Sequence, residues 1–413
     1  MTGFAQCAEL EKTNLNLLIK MTSRVLKPGI YAVGAIDWDR VLFDEIISLP
    51  SGTTYNSYLI QGNEKTALLD TVDPTKIGEL VSNLQELNVN IDYIISHHAE
   101  QDHSGSIPGI LEIYPDANII TNPKCKEMLK DLLLIPDEKF ITIEDGETIS
   151  LGDKTLKFIY TPWVHWPETM VTYLEEDNIL FSCDFFGSHL AESNLFVTDE
   201  ALTYRAAKRY YAEIMMPFRI FIQKNMEKLK DLEIEIVAPS HGPVYNKPEL
   251  ILEAYKKWIS DETKNEVVIP YVSMHGSTKE IVYYLMDILV KNGITVKPFN
   301  LTASDIGEVA TSLVDASTLI IATPTVLTGP HPSAVYAAYL VNALRPKLKF
   351  MSIIGSYGWG GRTVELIKGA LTNIKAEIID PVIVKGFPKE DDFKKIDVLA
   401  EEIIKKHKEK GLL

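Results

Sequence analysis

The sequence predicts an α/β protein in two parts, a half built of mixed sheets followed by a doubly wound parallel sheet. From about residue 29 to residue 259, short β-type runs dominate and helical stretches interrupt them, which suits two sheets packed between helices. From residue 267 onward, buried apolar strands alternate with amphipathic helices, which is typical of a doubly wound sheet. The polar segment Ser260–Asn265 has no periodicity and is interpreted as the linker. We therefore expect domains at residues 1–260 and 266–413.

The strands and helices are predicted from the periodic spacing of apolar residues along the sequence. Strands of the first half are predicted at Ile30–Ala35, Ser57–Ile60, Thr66–Asp70, Leu156–Tyr160, Met170–Leu174 and Ile179–Ser182. Helices are predicted at Pro74–Leu87, where the proline suits a first turn, and at Arg205–Leu229. In the second half, strands are predicted at Val267–Val272, Thr318–Ala322 and Phe350–Ile354, each followed by a helix, with a last helix near Asp391–Lys410.

Composition excludes several classes of protein. Hydrophobic residues make up 46% of the 413 residues and charged residues 24%, which is ordinary for a globular protein with full-sized cores. The formal net charge of −16 argues against a nucleic-acid partner, because no basic stripe meets phosphates. Cys7, Cys125 and Cys183 are too far apart for a rubredoxin centre or a disulfide framework. With neither a membrane-length apolar run nor a signal-peptide pattern, we expect a cytoplasmic protein without membrane contact.

A dense group of metal-binding residue types follows the apolar run Tyr93–Ser96. Four of them lie within six positions, namely His98, Glu100, Asp102 and His103. A strand ending at Ser96 would place them at its carboxyl edge, where α/β folds hold their chemistry. A carboxylate among histidines shifts the preference from zinc towards iron or manganese. His97 is one residue out of register with this spacing and is interpreted as a strand-end or outer-sphere histidine.

Three later segments add candidate ligands, each at the end of an apolar strand. They are His165, Asp184 and His241. A single histidine or aspartate at a strand end is usually structural, but the repeated placement favours a metal site. His189 is interpreted as an outer-sphere residue that orients a ligand or donates a proton.

The spacing of residues 98–103 resembles the His-x-His-x-Asp-His signature of the metallo-β-lactamase fold, with Glu100 in place of the second histidine. That change is the hallmark of the flavodiiron proteins (A-type flavoproteins). The chain resembles them over nearly its whole length, including Gly52–Asn56 and Ala35–Asp39. The resemblance implies a metallo-β-lactamase-like αββα sandwich followed by a flavodoxin-like doubly wound parallel sheet. It also implies one iron on His98, Glu100 and His165, another on Asp102, His103 and His241, and Asp184 as the bridge.

Three loops of the second half suit a flavin mononucleotide. Ser273–Thr278 combines hydroxyls, a glycine and a helix N-terminus into a phosphate nest. Two later loops also follow strands, and Trp359 either flanks a flat ring or packs in a turn. The predicted FMN-binding residues are Ser273, Met274, His275, Gly276, Ser277, Thr278, Pro324, Thr325, Val326, Leu327, Ser356, Tyr357, Gly358, Trp359, Gly360 and Gly361. We assign no chemistry to His275 itself.

The two sites together predict an oxidoreductase. Reduced FMN stores two electrons and a diferrous site two more, which suffices to reduce one O2 to two waters. Reduction of two nitric oxide molecules to nitrous oxide needs only two electrons. By the resemblance, we expect an O2-reducing oxidase of the methanogen coenzyme F420H2 type. The alternative is a rubredoxin-linked O2 or nitric oxide reductase.

The resemblance also bears on partners. We expect no fused rubredoxin or flavin-reductase module, so electrons come from outside. We also expect a head-to-tail homodimer or homotetramer, in which the flavin of one subunit serves the metal site of another.

Two other functions compete with this one. The first is a zinc-dependent hydrolase that merely carries a flavodoxin domain, which Glu100 argues against because such an enzyme would keep histidine there. The second is an electron-transfer flavoprotein with an inactive metal half, which the complete ligand set disfavours.

Overall fold

The computed structural model describes residues 23–413, so Cys7 lies outside the described residues. The described chain divides into two compact units. Unit 1 comprises residues 23–40, 51–198 and 232–248, and unit 2 comprises residues 41–50, 199–231 and 249–413. The chain passes between the units several times, and the division into domains at residues 260 and 266 stays a prediction.

Unit 1 contains two main sheets. The strands of the first are, in spatial order, Arg24–Lys27, Ile30–Ala32, Tyr58–Gln61, Thr66–Leu69, Tyr93–Ile95, Asn118–Thr121 and Phe140–Thr142. The strands of the second are Thr148–Ser150, Thr155–Tyr160, Met170–Leu174, Ile179–Cys183 and Ile236–Pro239. A separate antiparallel pair consists of Ala35–Asp37 and Thr53–Tyr55.

The strand predicted at Ile30–Ala35 is divided between two sheets. Gly34 lies at the division, where the chain leaves the first sheet to pair with Thr53–Tyr55. A Cβ atom at Gly34 would lie 2.1 Å from the carbonyl oxygen of Tyr55. Only glycine permits the two backbones to approach this closely.

The core of unit 1 lies between its two sheets. Ile60 and Leu69 of the first sheet pack in one cluster with Phe158 and Leu174 of the second. On the other face of the first sheet, a second cluster joins its strands to the surrounding helices, which include Ile77–Leu87. The helices of unit 1 are Pro74–Lys76 (3-10), Ile77–Leu87, Gln101–Ser104, Ile107–Ile113, Pro123–Leu133 and Asp137–Lys139 (3-10). The predicted pairing of two mixed sheets is confirmed.

Unit 2 contains the predicted parallel sheet. Its strands are, in spatial order, Thr295–Asn300, Lys264–Tyr271, Ala316–Val326, Phe350–Tyr357 and Glu377–Ile378, and Val382–Lys385 also pairs with Phe350–Tyr357. A short strand, Gly329–Pro330, pairs with Ala316–Val326, and Leu42–Phe43 pairs with Ile47–Ser48. Counted along the chain, the parallel strands have the order 2-1-3-4-5 of a flavodoxin-like sheet.

The parallel strands Glu377–Ile378, Val382–Lys385 and Thr295–Asn300 of unit 2 were not predicted, and the sequence of Thr295–Asn300 shows why. This strand lies at the edge of the sheet, includes Pro298 and has no fully buried residue, so its sequence lacks an apolar run. Edge strands tolerate proline because one side of their backbone pairs with no neighbour.

The helices of unit 2 surround this sheet or precede it in the chain. They are Glu200–Tyr210, Tyr211–Met215 (π), Met216–Phe218 (3-10), Arg219–Leu229, Glu249–Ile259, Ser277–Lys291, Ile306–Leu313, Pro332–Leu344, Thr363–Ala370 and Glu390–Glu409. The single helix predicted at Arg205–Leu229 is interrupted around Pro217, which has no N–H to donate to the preceding turn. Within residues 23–413, no helix combines the length and apolar character needed to cross a bilayer.

A buried histidine connects the last helix to the sheet of unit 2. The Nε2 atom of His407 lies 2.7 Å from the hydroxyl of Thr318, and its Nδ1 atom lies 2.7 Å from the side-chain oxygen of Asn265. The ring stacks on Phe350. Burial lowers the pKa of His407 from 6.5 to about 4. The folded protein therefore holds this imidazole neutral under conditions where an unfolded chain would protonate it.

We expect His407 to make stability depend on pH. Between pH 6.5 and 4 the unfolded state binds more protons at this site than the folded state, so stability falls as the pH falls. The shift corresponds to about 3 kcal/mol over that range. The His407→Gln variant cannot titrate, and urea unfolding at a series of pH values should show a correspondingly flatter dependence. Parallel losses of stability in wild type and variant would show that His407 does not titrate there.

Candidate metal centre and cofactor pocket

The predicted metal ligands of the first motif lie together in unit 1. The strand Tyr93–Ile95 leads into a loop containing His98 and Glu100, and then into the short helix Gln101–Ser104. Asp102 and His103 are carried by this helix. One continuous segment therefore presents four candidate ligands at the carboxyl end of a strand, as its spacing predicts.

The other three candidate ligands follow strands of the second sheet. The strands that end at Tyr160, Cys183 and Pro239 run in the same direction, so the segments after them share one edge. His165, Asp184 and His241 lie in those segments. The chain turns sharply at this edge: Cys183 has a φ of 51° and Gly242 a φ of 82°.

Asp184 lies at the centre of the cluster. Its Oδ2 atom is 3.5 Å from Nε2 of His98 and 3.3 Å from Nε2 of His165. Its Oδ1 atom is 3.1 Å from Nε2 of His103 and 3.3 Å from Nε2 of His241. Each carboxylate oxygen thus faces a different pair of imidazoles, which is the arrangement of a bridging ligand.

The ligand atoms form two groups, in each of which they lie within 4.8 Å of one another. Position A consists of His98, Glu100 and His165 with Asp184, and position B consists of Asp102, His103 and His241. In position A, Oε2 of Glu100 is 3.0 Å from His98 and 3.2 Å from His165. In position B, Oδ2 of Asp102 is 3.1 Å from His241 and 3.4 Å from His103. Each position therefore offers two imidazoles and one carboxylate in addition to Asp184.

The chemistry of these residues fits two divalent cations. Both oxygens of Asp102 and Oδ1 of Asp184 are buried and form no hydrogen bond within residues 23–413. Buried carboxylate oxygens are costly unless a hydrogen bond or a cation satisfies them. Imidazole nitrogens mixed with carboxylate oxygens suit first-row metals such as iron.

The electrostatics of the cluster also favour bound cations. Burial acts to lower the pKa of His165, but Asp184 and Glu100 outweigh it and raise the pKa to about 9. In the same way, Asp102 and Asp184 overcome burial and raise the pKa of His241 to about 10. Burial acts to raise the pKa of Asp184, yet the surrounding imidazoles, His103 first, hold it well below its usual range. Without a metal, protons balance these carboxylates, and metal binding displaces them.

Two contacts behind the ligands were not predicted from the sequence. Nδ1 of His98 donates to Oε1 of Glu168 at 2.8 Å, and the backbone N–H of Ala99 donates to the same oxygen at 3.1 Å. Nδ1 of His241 donates to the backbone carbonyl of Thr54 at 2.6 Å. The only sequence signal for the first contact is a glutamate next to an apolar strand, and a backbone acceptor leaves no signal. Such contacts fix the tautomer and the orientation of a metal-binding histidine.

Two further histidines have other partners. Nδ1 of His97 is 2.7 Å from Oδ2 of Asp70, and its Nε2 is 2.7 Å from the hydroxyl of Thr172. Both ring nitrogens of His97 are thus engaged away from the two metal positions. Nδ1 of His189 is 2.9 Å from the hydroxyl of Thr53, which suits an outer-sphere role.

The second predicted site forms a pocket in unit 2 at the carboxyl ends of the parallel strands. Gly276, with a φ of 90°, is the N-cap of the helix Ser277–Lys291, so the free N–H groups of its first turn face the loop. The hydroxyl of Thr278 is 2.9 Å from that of Ser356, which connects two of the three loops. A helix N-terminus with adjacent hydroxyls fits a phosphate monoester.

Most of the predicted FMN-binding residues line this pocket. Those that do are Ser273, Met274, His275, Ser277, Thr278, Pro324, Thr325, Ser356, Tyr357 and Gly358. Gly276, Val326, Leu327, Trp359, Gly360 and Gly361 are not among its lining residues, and Leu327 and Trp359 are largely exposed. Gly386 also lines the pocket and was not predicted from the sequence. A glycine directly after the strand Val382–Lys385 was the available signal.

A binuclear site at a strand edge, in a chain that also carries a phosphate pocket on a doubly wound sheet, indicates a metal-dependent flavoprotein. A family model described as "ODP family beta lactamase" matches residues 53–242. A nitric oxide reductase from Moorella thermoacetica is 37% identical over 85% of this chain and 90% of its own length. A coenzyme F420H(2) oxidase from Methanothermobacter marburgensis is 32% identical over 87% of this chain and 93% of its own length.

Two solved structures match nearly the whole chain. Rubredoxin oxygen:oxidoreductase from Desulfovibrio gigas has a TM-score of 0.91 at 30% identity and covers 95% of this chain and 100% of its own. The flavodiiron protein from Giardia intestinalis has a TM-score of 0.85 at 28% identity, with 93% and 96% covered. The chain belongs to the flavodiiron (type A flavoprotein) family.

We expect Asp184→Ala to lose at least one of two bound metals, because the cations would lack the carboxylate that offsets their mutual repulsion. Plasma emission analysis measures the metal, and flavin absorbance should still show about one FMN per chain. The matched control is Asp153→Ala, which removes an exposed carboxylate that accepts from the backbone N–H of Asn63 in the same unit. If Asp184→Ala retains as much metal as the control, Asp184 is not the bridge.

Proposed function

We propose that this protein is a flavodiiron oxidoreductase that reduces O2 to water, with electrons relayed through FMN from an external donor, reduced coenzyme F420. The observation that carries the proposal is Asp184, whose two oxygens each face the histidines of a different metal position. Relatives named coenzyme F420H(2) oxidase and rubredoxin oxygen:oxidoreductase support the same reaction class.

Iron is the metal that suits both positions. Position A would hold one iron and position B the other, with Asp184 shared between them. The carboxylate of Glu100, in place of an imidazole, gives position A the same ligand types as position B, which suits a pair of like ions. When bound, the two irons and FMN together supply four electrons and open coordination positions for a diatomic gas.

The chain's own residues set the conditions for this chemistry. The side chains of His98 and Asp184 are fully buried, so bulk solvent does not compete for the ligands. His98 and His241 each donate from Nδ1 to a protein acceptor, so Nε2 is the ring nitrogen that faces the carboxylates of the metal positions. In unit 2, the backbone N–H groups at Ser277 and Thr278 would hold the phosphate of FMN.

FMN is the proposed entry point for electrons. A bulky donor cannot contact ligands that are as buried as His98, whereas the FMN pocket opens between exposed loops. Trp359 is 75% exposed and Leu327 is 89% exposed, and both follow strands whose ends line the pocket. We propose that these two loops shape the access of a reduced deazaflavin to the flavin ring.

A second candidate function is reduction of nitric oxide to nitrous oxide with rubredoxin as the donor. The relative from Moorella thermoacetica that is named nitric oxide reductase favours it. The same binuclear arrangement would bind two nitric oxide molecules. Their reduction to nitrous oxide requires two electrons, which is half the number that reduction of O2 to water requires.

The proposal also covers the oligomeric state and the cellular compartment of the protein. We propose a head-to-tail homodimer or homotetramer in which the flavin of one subunit serves the metal site of another. Cys125 and Cys183 are free thiols, which is consistent with the reducing cytoplasm as the compartment.

We expect removal of FMN to abolish electron transfer from the donor without affecting iron binding. Protein stripped of FMN should keep its iron, because the ligands of both positions belong to unit 1. Its donor-driven oxygen consumption, measured with an oxygen electrode, should be lost and should return when FMN is added back. Unchanged oxygen consumption without FMN would contradict the proposed route.

We expect reduced coenzyme F420 to support faster O2 consumption than NADH, which would need a binding module of its own. The experiment compares reduced F420, reduced rubredoxin and NADH as donors, each with O2 and with nitric oxide. Rapid turnover with rubredoxin and none with reduced F420 would reject the F420-linked oxidase and leave the rubredoxin-linked reductase.

A further inference from the structure

The two metal positions have matching inner ligands but different outer contacts. Each offers two imidazoles and one carboxylate, and each faces one oxygen of Asp184. Differences between the positions therefore lie in the groups behind the ligands. One of these is Asp70, a buried carboxylate that lies within 4.8 Å of a ring nitrogen of His103 in position B. Two other groups are directly comparable, since each accepts a hydrogen bond from Nδ1 of a ligand histidine.

Position A has a carboxylate behind it. Oε1 of Glu168 accepts from Nδ1 of His98 at 2.8 Å and from the backbone N–H of Ala99 at 3.1 Å. The Glu168 side chain is completely buried, so solvent does not screen its charge. Asn122 donates to the backbone carbonyl of Glu168 and fixes this residue in place.

Position B has a neutral group at the corresponding place. Nδ1 of His241 donates to the backbone carbonyl of Thr54 at 2.6 Å, and the hydroxyl of Thr54 accepts from the backbone N–H of Gly242 at 2.7 Å. The strand Thr53–Tyr55 therefore orients His241 through Thr54, without a formal charge. Both imidazoles donate from Nδ1, but the acceptor of His98 is a carboxylate and the acceptor of His241 is a neutral carbonyl.

We propose that Glu168 is a positioning residue that makes the two metal positions unequal, so that position A binds its divalent metal more tightly than position B. The buried carboxylate polarises His98 through its Nδ1–H and makes Nε2 a stronger donor to the metal. At position B the nearby buried carboxylate, Asp70, accepts from the backbone N–H and from Nδ1 of His97, and the acceptor of His241 is the neutral carbonyl of Thr54. This inference rests on the proposed two-metal function, because it assigns different properties to the two positions.

The Glu168→Gln variant isolates the charge. Glutamine has the same length, and its amide oxygen can still accept from His98 and Ala99. The matched control is Glu176→Gln, since Glu176 also accepts a backbone N–H, that of Thr155, but lies exposed elsewhere in unit 1. Thermal unfolding of both variants monitors any purely structural effect.

The test is an anaerobic calorimetric titration of Fe(II) into FMN-loaded protein from which metal has been removed by chelation. Wild type should bind two equivalents in two steps of unequal affinity. In Glu168→Gln the tighter step should weaken by about tenfold while the weaker step stays unchanged. Glu176→Gln should superimpose on wild type.

Other results of the Fe(II) titration would contradict either the inequality of the two positions or the proposed two-metal function. Two equal steps in the wild type would overturn the inference without any variant, and would leave the two-metal function intact. Equal weakening of both steps in Glu168→Gln would show that Glu168 does not distinguish the positions. Absence of Fe(II) binding would overturn the proposed function together with the inference. Mössbauer spectra of the diferrous protein should give two quadrupole doublets in wild type that approach each other in Glu168→Gln.

Discussion

The carboxylate of Asp184, buried among four imidazoles, is the interaction on which the metal centre depends. Its two oxygens face opposite pairs of histidines, so one side chain sets the separation of the two positions. A buried carboxylate of this kind is unfavourable unless positive charge surrounds it. Bound cations supply that charge, which couples metal binding to the stability of this edge of the sheets.

The rest of unit 1 serves to bring these ligands to one place. Strands of two different sheets end at the cluster, and the short helix Gln101–Ser104 adds two ligands within a single turn. The strand Thr53–Tyr55 and the segment around Glu168 then fix the imidazoles from behind. The precision of the site therefore comes from the pairing of strands far apart in sequence, and its chemistry comes from a few side chains at their ends.

Much of this arrangement was predictable from the sequence, and the exceptions have physical causes. Spacing within residues 98–103 and strand-end placement identified the candidate ligands, because both depend on local sequence, and the resemblance to the family divided them into two groups. Glu168 and Thr54 were missed, because an outer-sphere contact depends on which distant segments meet and a carbonyl acceptor leaves no mark in the sequence. The edge strand Thr295–Asn300 lacks an apolar run, and Pro217 interrupts a helix that periodicity alone extended. Gly386 lines the cofactor pocket because the strand before it, Val382–Lys385, pairs with Phe350–Tyr357, and this pairing is not visible in the sequence.

The central claim is that this site holds two irons rather than the zinc of a hydrolase. The most direct measurement is the metal content of protein purified without added metal, determined by plasma emission and combined with flavin absorbance. We expect about two irons and one FMN per chain with little zinc, because hard carboxylates at Glu100, Asp102 and Asp184 accompany the histidines at both positions. Two zinc ions and no iron per chain would contradict it.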